Sequence, residues 1–402
     1  LGLPFKQKHM ERERIKKPAY SRGGLTTYFL KLGTWGFGGP VALVGYMYRD
    51  LVENKKWITE EEYKEGLALA QLAPGPLAAQ LGIYVGFVHY GLIGATLAGL
   101  AFVLPSFIMV VLLGIAYKLY SGLPGMQAVF YGVSASVIGI IAISTYKLTI
   151  KSVSNLNFAA IKSKWLLWIF YMVGVVVTVS TEKEDILLFT GCGLLYMVVK
   201  SPPKWIKRPA TAPSVILLGI GFWHYDGKDL QEIGWFFLKA GAFVFGSGLA
   251  IVPFLHGGVV QEFGWLTEHE FLDSVAVAMI TPGPVVITVA FIGYLVAGFP
   301  GACVAALATF LPCYIFTVAL APSFKKIAKN TSIKAFVDGI TAVVIGALVG
   351  AVIIIGMRSI VDIPTALIAI FSMLGLIYIK KIKEPHLILA SAIIGIVLKT
   401  FL

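Results

Sequence analysis

Charge is what this sequence has least of. Asp, Glu, Lys and Arg make up 13% of its 402 residues, about half the quarter usual in soluble domains. A soluble fold of this size would expose far more surface than so few charges can cover, so a cytosolic enzyme is excluded. Cysteine is also scarce. Cys192, Cys303 and Cys313 are the full set, each in an apolar run where a free thiol behaves as a small hydrophobe, which excludes a secreted disulfide scaffold. The patterns G-x-x-x-x-G-K-[ST], H-E-x-x-H and G-x-S-x-G are missing, which disfavours an ATP-driven pump or a membrane hydrolase. The six histidines are scattered without metal-ligand spacing, and no metal or cofactor is expected.

What remains is apolar. Hydrophobic residues are 57% of the chain and the mean hydropathy is +0.83. With 43 glycines and 13% aromatics, the composition suits closely packed membrane helices. The chain is therefore read as an integral membrane protein. Its formal charge of +12 would suggest nucleic acid in a soluble protein; here it is read as membrane orientation, and no nucleic-acid partner is expected. Residues 1–24 form a basic arm (Lys6, Lys8, Arg12, Arg14, Lys16, Lys17, Arg22) without a cleavable signal pattern, and this arm is expected on the cytoplasmic side.

Apolar segments lie near 25–48, 66–89, 92–119, 126–148, 165–181 and 186–199, then near 214–224, 233–255, 272–297, 299–320, 336–357, 363–379 and 386–402. Several approach the ~20 residues that span a bilayer as a helix. Between the two sets, residues 200–213 (KSPPKWIKRPATAP) carry four prolines and four basic residues and read as a cytoplasmic linker.

The halves repeat one another. Phe29-Leu30-Lys31 recurs as Phe237-Leu238-Lys239, Phe37-Gly38 as Phe245-Gly246, and Pro74-Gly75-Pro76 as Pro282-Gly283-Pro284. The run WITEEEY from Trp57 recurs as WLTEHEF from Trp265. After a one-residue slip, Gly86, Gly94, Pro105, Gly132 and Gly139 match Gly293, Gly301, Pro312, Gly339 and Gly346. Residues 25–199 are thus a first repeat and 214–402 a second, with 214–224 as a lead-in helix.

Charge bias reverses between corresponding loops. Arg49, Lys55, Lys56 and Lys64 face Glu262, Glu268, Glu270 and Asp273; the basic stretch 147–164 faces 358–362; the acidic 182–185 faces Lys380, Lys381 and Lys383. Lys and Arg mark the cytoplasmic side, so the repeats are expected to be inverted, as in many secondary transporters. The simplest crossing pattern makes each PGP segment a re-entrant hairpin, and segment 25–48 is a second candidate.

Proline breaks the helical ladder and glycine tolerates positive φ. Broken backbone at membrane depth is tolerated only inside protein or along a watery cavity, and a half-helix N-terminus suits an anion. Paired breaks point to a transport site, although each motif alone could equally be a packing kink. Gln71 and Gln80 bracket the first PGP; Thr281 precedes the second and Thr288 follows it. These polar groups face a cavity or bond between helices. Lys31 and Lys239, inside apolar runs, are candidates for drawing in an anion, with snorkelling to the interface as the alternative. His256, Glu62 and Glu270 are candidates for proton coupling. Helix capping is the plainer role for the two glutamates, and a helix terminus for Asp338. Gly82-xxx-Gly86 and Gly346-xxx-Gly350 read as packing faces.

The series FLKLGTWGFGGP (29–40), WITEEEYKEGLALAQLAPGP (57–76) and FVLPS (102–106), with its second copy FLKAGAFVFGSG (237–248), WLTEHEFLDSVAVAMITPGP (265–284) and FLP (310–312), resembles the chromate ion transporter family, in particular its long-chain, two-repeat members. The resemblance covers nearly the whole chain from about residue 25. It implies efflux of chromate, a sulfate-like oxyanion, conferring chromate resistance in a prokaryotic plasma membrane. Motif positions carry over as Phe37, Gly38, Gly39, Gln71, Pro74, Gly75, Pro76 and Gln80, and as Phe245, Gly246, Ser247, Gly248, Pro282, Gly283 and Pro284. The chain departs from the family pattern at Ala78, Ala79, Ser247 and Met279, where polar or glycine residues are common, which puts the exact anion in doubt.

The expectation is an all-α integral membrane protein with two inverted-topology repeats and broken helices around a central site. It would work as a secondary transporter by alternating access, with PGP and FGG amides replacing the anion's hydration. A sulfate or other oxyanion carrier and an anion channel are the alternatives. The expected partners are the oxyanion and the lipid bilayer; a homodimer is left open.

Overall fold

The computed structural model describes residues 20–37, 39–120, 122–154, 157–182, 185–202, 230–244, 248–324, 330–379, 382 and 384–401. Among them the regular structure is helical throughout. The first half runs α1 (Arg22–Trp35), α2 (Gly39–Met47) with a π-helical continuation (Tyr48–Asn54), α3 (Glu60–Leu72), α4 (Leu77–Tyr120), α5 (Pro124–Ser152), the short α6 (Phe158–Ser163), α7 (Trp165–Thr181) and α8 (Ile186–Lys200). The second runs α9 (Leu230–Ala242), a 3-10 turn (Gly248–Ile251), α10 (Val252–Leu255) with its own π-helical continuation (His256–Glu262), α11 (Glu268–Ile280), α12 (Thr288–Leu320), α13 (Thr331–Ser359), α14 (Ile363–Tyr378) and α15 (Glu384–Phe401). The lead-in segment 214–224 and most of the linker lie outside the described residues.

The repeat seen in sequence is also a repeat of local conformation. Both π-helical stretches fall at matched positions. Both α3 and α11 open with a complete capping box, Thr59 with Glu62 and Thr267 with Glu270. Positive φ recurs in register at Gly75 and Gly283 and again at Gly91 and Gly298. Asp338 departs from expectation: Asn330 caps α13, so the aspartate lies inside that helix.

Among the described residues four stretches are long and apolar enough to cross a membrane: Leu77–Tyr120, Pro124–Ser152, Val285–Ser323 and Thr331–Ser359. A straight 44-residue α4 would be about 66 Å long at 1.5 Å per residue, twice the ~30 Å hydrocarbon core. It is not straight. Gly91, at φ 59° and ψ −149°, folds it so that Gly86 packs against the carbonyl of Gly94. Gly298 folds α12 likewise, Gly293 packing on Gly301.

A second fold precedes this one. Gly66 of α3 packs on the ring of Tyr84, and Glu62 Oε1 lies 3.7 Å from His89 Nε2. The helix α3 and the first part of α4 therefore lie side by side, with Pro74-Gly75-Pro76 at their tip. Outer faces of α7, α14 and α15 present Met172, Val176, Phe371, Leu389 and Ile393, as helices bounded by lipid do. The chain is an all-helical membrane protein.

The long helices exchange partners between halves. α5 packs on α14 and α15, and α13 packs on α7 and α8. Glycine makes these approaches close: Gly132 and Gly139 meet the carbonyls of Ser391 and Ala369, and Gly346 meets that of Tyr171. Gly82 packs on Phe29 and Gly350 on Thr178, so both small-residue motifs are packing faces.

Candidate functional site

Each PGP turn is held by the other half of the chain. Pro74 ends α3, because the residue before a proline is driven out of the α region: Ala73 has φ −84° and ψ 145°. Pro76, lacking an N–H, is followed directly by α4. Between them Gly75 takes φ +141° and Gly283, its counterpart, +99°. The N–H of Gly75 donates to the carbonyl of Val244 at 2.6 Å, and that of Gly283 to the carbonyl of Gly36 at 3.0 Å. Val244 and Gly36 sit just after α9 and α1 at matched positions, at the start of the two Gly-rich loops. The four breaks paired in the sequence thus meet by reciprocal backbone bonds across the repeat.

Side chains buttress the turns unequally. Gln80, fully buried, donates Nε2 to the carbonyls of Pro74 (2.8 Å) and Ala73 (3.4 Å); its Oε1 has no partner among the described residues. At the other turn Ser106 of α4 donates Oγ to the carbonyl of Pro282 at 2.7 Å. Cys313 of α12, the counterpart of Ser106, packs against Gly75, where an added Cβ would lie 2.9 Å from its Cβ. Thr288, the counterpart of Gln80, donates to the carbonyl of Val285 at 2.8 Å, and Thr281 Oγ1 donates to that of Ala278 at 3.1 Å.

This geometry corrects one expectation. The Gly75 and Gly283 amides are engaged by carbonyls, so they do not supply an anion's new hydration shell in this conformation. The donors that helix geometry leaves over are first-turn N–H groups, here at Leu77 to Ala79 and at Val285 and Val286, on the positive ends of their helices.

Other predicted residues are distributed as follows. Phe37 is half-buried and donates its N–H to the Trp35 carbonyl at 3.1 Å. Gly39 opens α2 at φ +71°, and Gly248 opens the 3-10 turn against Val286. Gly38, Phe245, Gly246 and Ser247 lie outside the described residues. Gln71 is exposed on the last turn of α3, apart from the buried tip. Lys31 is exposed on α1, and Lys239 is half-buried with its Nζ 5.9 Å from the ring centroid of Trp235, a cation–π contact. Glu62 and Glu270 close their capping boxes through bonds of 2.8 and 2.9 Å from the Thr59 and Thr267 N–H groups.

His256 is 2% exposed and its Nε2 lies 2.7 Å from Glu268 Oε2. Arg358, at the end of α13, joins Glu268 (2.6 Å) to Glu182, at the end of α7 (2.5 Å). Burial pushes the Glu268 carboxyl up, but hydrogen bonds and charge from His256 and Arg358 outweigh it and hold the group below the ordinary carboxylate range. A groove of 450 Å³ along α7, lined by Trp168, Met172 and Val176 among others, offers no polar group and is no seat for an anion.

Three features escaped the sequence reading. Ser106 stands in the FVLPS motif, where proline drew the attention. Glu268 and Arg358 read from sequence only as loop charge. Asp273 reads with the acidic loop although it falls inside the apolar segment 272–297, and an ionisable residue in such a run is itself a signal. In the structure it is 4% exposed, the one fully buried carboxylate among the described residues.

An apolar helical chain with an internal repeat, whose paired helix breaks converge and bond across that repeat, belongs to the class of membrane transporters. The family follows from comparison with known proteins. The chromate transporter family model matches residues 24–197 and 231–396, and the chain belongs to that family. It is 61% identical over 384 residues to the chromate transport protein of Cupriavidus metallidurans, covering 94% of each. It is 57% identical over 386 residues to a probable chromate transport protein of Synechococcus elongatus, covering 94% of this chain and 96% of that one. An uncharacterized transporter of Methanocaldococcus jannaschii is 30% identical over 373 residues, with 91% and 92% covered. No solved structure matches the chain.

Proposed function

We propose that this protein is a secondary active transporter that carries chromate out of a prokaryotic cell across the plasma membrane and so confers resistance. The reading rests on the relatives named for chromate transport. The observation that carries the mechanism is the reciprocal pair of bonds, Gly75 to Val244 and Gly283 to Gly36. The oxyanion binds among the converging tips, drawn by the first-turn N–H groups of α4 and of the segment leading into α12. Exchanging the cross-repeat bonds as one repeat moves against the other gives alternating access. Ala78, Ala79 and Met279 leave the surroundings of the turns weakly polar, which favours selection by anion shape and charge, and sulfate is the natural competitor.

The two repeats, 25–199 and 214–402, are inverted in this reading, with residues 1–24 and 200–213 on the cytoplasmic side. The basic end of α8 bonds the start of α13 through Ser201 and Thr331 at 2.7 Å. At the other ends, Glu182 meets Arg358 and Tyr131 meets Asp362 at 2.5 Å. These contacts gather the basic and the acidic loops separately and support antiparallel counterparts. The side-by-side pairing of α3 with the first part of α4 supports a re-entrant hairpin with PGP at its tip.

Radiolabelled chromate and sulfate transport in proteoliposomes, with imposed pH and voltage gradients, tests the proposal. Trans-stimulated chromate exchange is the expected result. Current without counterflow would make the protein a channel instead, and sulfate exchange without chromate exchange would reassign the substrate.

A further inference from the structure

Asp273 sits two turns before the second PGP. Its hydrogen-bond donors come from the other repeat: Tyr117 of α4 donates its hydroxyl to Oδ2 at 2.8 Å, and Ser134 of α5 donates to Oδ1 at 3.1 Å. Tyr117 is itself wedged between Phe130 and Phe291, at 5.1 and 5.6 Å between ring centroids. Around them lie Val110, Val277, Ala278 and Ala290.

A carboxylate in such surroundings is costly unless paired, yet among the described residues no cation pairs with it. Glu270, on the same helix, is the charged group whose field it feels. Of the other elements packed on α11, α5 carries Lys147 and Lys151 more than three helical turns beyond Ser134. α12 contains no Asp, Glu, Lys, Arg or His. Lys118 of α4 lies over Tyr294 and Lys399 of α15 over Tyr131. Arg358 of α13 and His256 are taken by Glu268. A hard cation would need several oxygen ligands, and two hydroxyls in an apolar shell do not make such a cage.

Two hydroxyls do suit a carboxyl that changes its protonation state. Both donate to the ionised form; on protonation the Ser134 oxygen can instead accept from the carboxyl O–H, because a hydroxyl both donates and accepts. Neutralising the group relieves the cost of a buried charge, and ionising it strengthens the tie between α11 and the first repeat. Its protonation therefore biases how one repeat sits against the other.

We propose that Asp273 is the residue that carries the coupling proton, loading on one side of the membrane and releasing on the other as the helix leading to Pro282-Gly283-Pro284 moves against Tyr117 and Ser134. This deepens the transport reading and rests on it.

The test uses the full chain in proteoliposomes, with chromate as substrate and trapped pyranine reporting protons. In the wild type, chromate flux moves protons and a pH gradient drives accumulation. Asp273→Asn should lose that accumulation and proton movement by about tenfold or more, within the usual range of coupling between sites, while Asp273→Glu keeps them. Retained gradient-driven accumulation in Asp273→Asn would overturn the proposal. So would wild-type chromate exchange indifferent to a pH gradient, with the transport reading left standing; no wild-type exchange at all would instead sink that reading. Should Asp273→Asn fail to fold, Tyr117→Phe decides. Removing a donor to the ionised form should shift the pH profile of transport to higher pH, and an unchanged profile would refute the assignment.

Discussion

Gly75 donates its backbone N–H to the carbonyl of Val244, and the bond joins the first repeat to the second. Its twin, from Gly283 to Gly36, runs in the opposite sense. Each glycine is also sterically fixed: a Cβ on Gly75 would lie 2.8 Å from Gln80 Nε2, and one on Gly283 would collide with Ser106 Oγ.

Gly75→Ala and Gly283→Ala should therefore abolish chromate transport in vesicles while membrane insertion continues. The positive φ alone costs about 1–3 kcal/mol for a residue with a side chain. Wild-type transport rates in both variants would remove the PGP turns from the site.

Ser106 offers a milder probe. Ser106→Ala leaves the buried Pro282 carbonyl short of its donor, a loss of about 1–3 kcal/mol, visible as a lowered melting temperature in detergent. Ser106→Cys should be better tolerated, because the matched position already holds Cys313. An unchanged melting temperature in Ser106→Ala would show that the bond to Pro282 does not matter.

Acid should weaken the fold through Glu268. A carboxyl held low in the folded protein contributes stability above its unfolded pKa of about 4.3 and loses it as pH falls through the folded value. Melting temperature should fall more steeply on acidification in the wild type than in Glu268→Gln. Parallel pH profiles would show that the His256–Glu268–Arg358 network contributes nothing.

Orientation is testable with single cysteines placed in a chain lacking Cys192, Cys303 and Cys313. Positions 185 and 382 should react with impermeant thiol reagents from opposite sides of the membrane. Labelling from the same side would end the inverted arrangement.

Much of this architecture is legible in the sequence, because helix breaks and caps are written in side chains. Pro74, Pro76, Pro282 and Pro284 announce their turns by lacking a donor, and the Thr59–Glu62 and Thr267–Glu270 spacings announce helix starts. Partner choice is a different matter. The bond from Gly75 to Val244 uses two backbone groups, which every residue possesses, so nothing in the residue types specifies it. Asp273 was hidden by position: one helical turn separates an interfacial acid from a buried one, and segment ends are located no better than that. Lys31 stood out for its charge in an apolar run, and the structure leaves it exposed.

The exchange of partners between long helices carries a consequence for biogenesis. α5 completes its packing with α14 and α15, which leave the ribosome more than 200 residues later. The α5 side of the first repeat cannot close while it is being made. Such distant pairing slows folding and keeps the Gly132 seam waiting for the carbonyl of Ser391. A chain cut short before α15 would damage the first repeat as surely as the second, so a late truncation should be cleared by quality control as an unassembled protein.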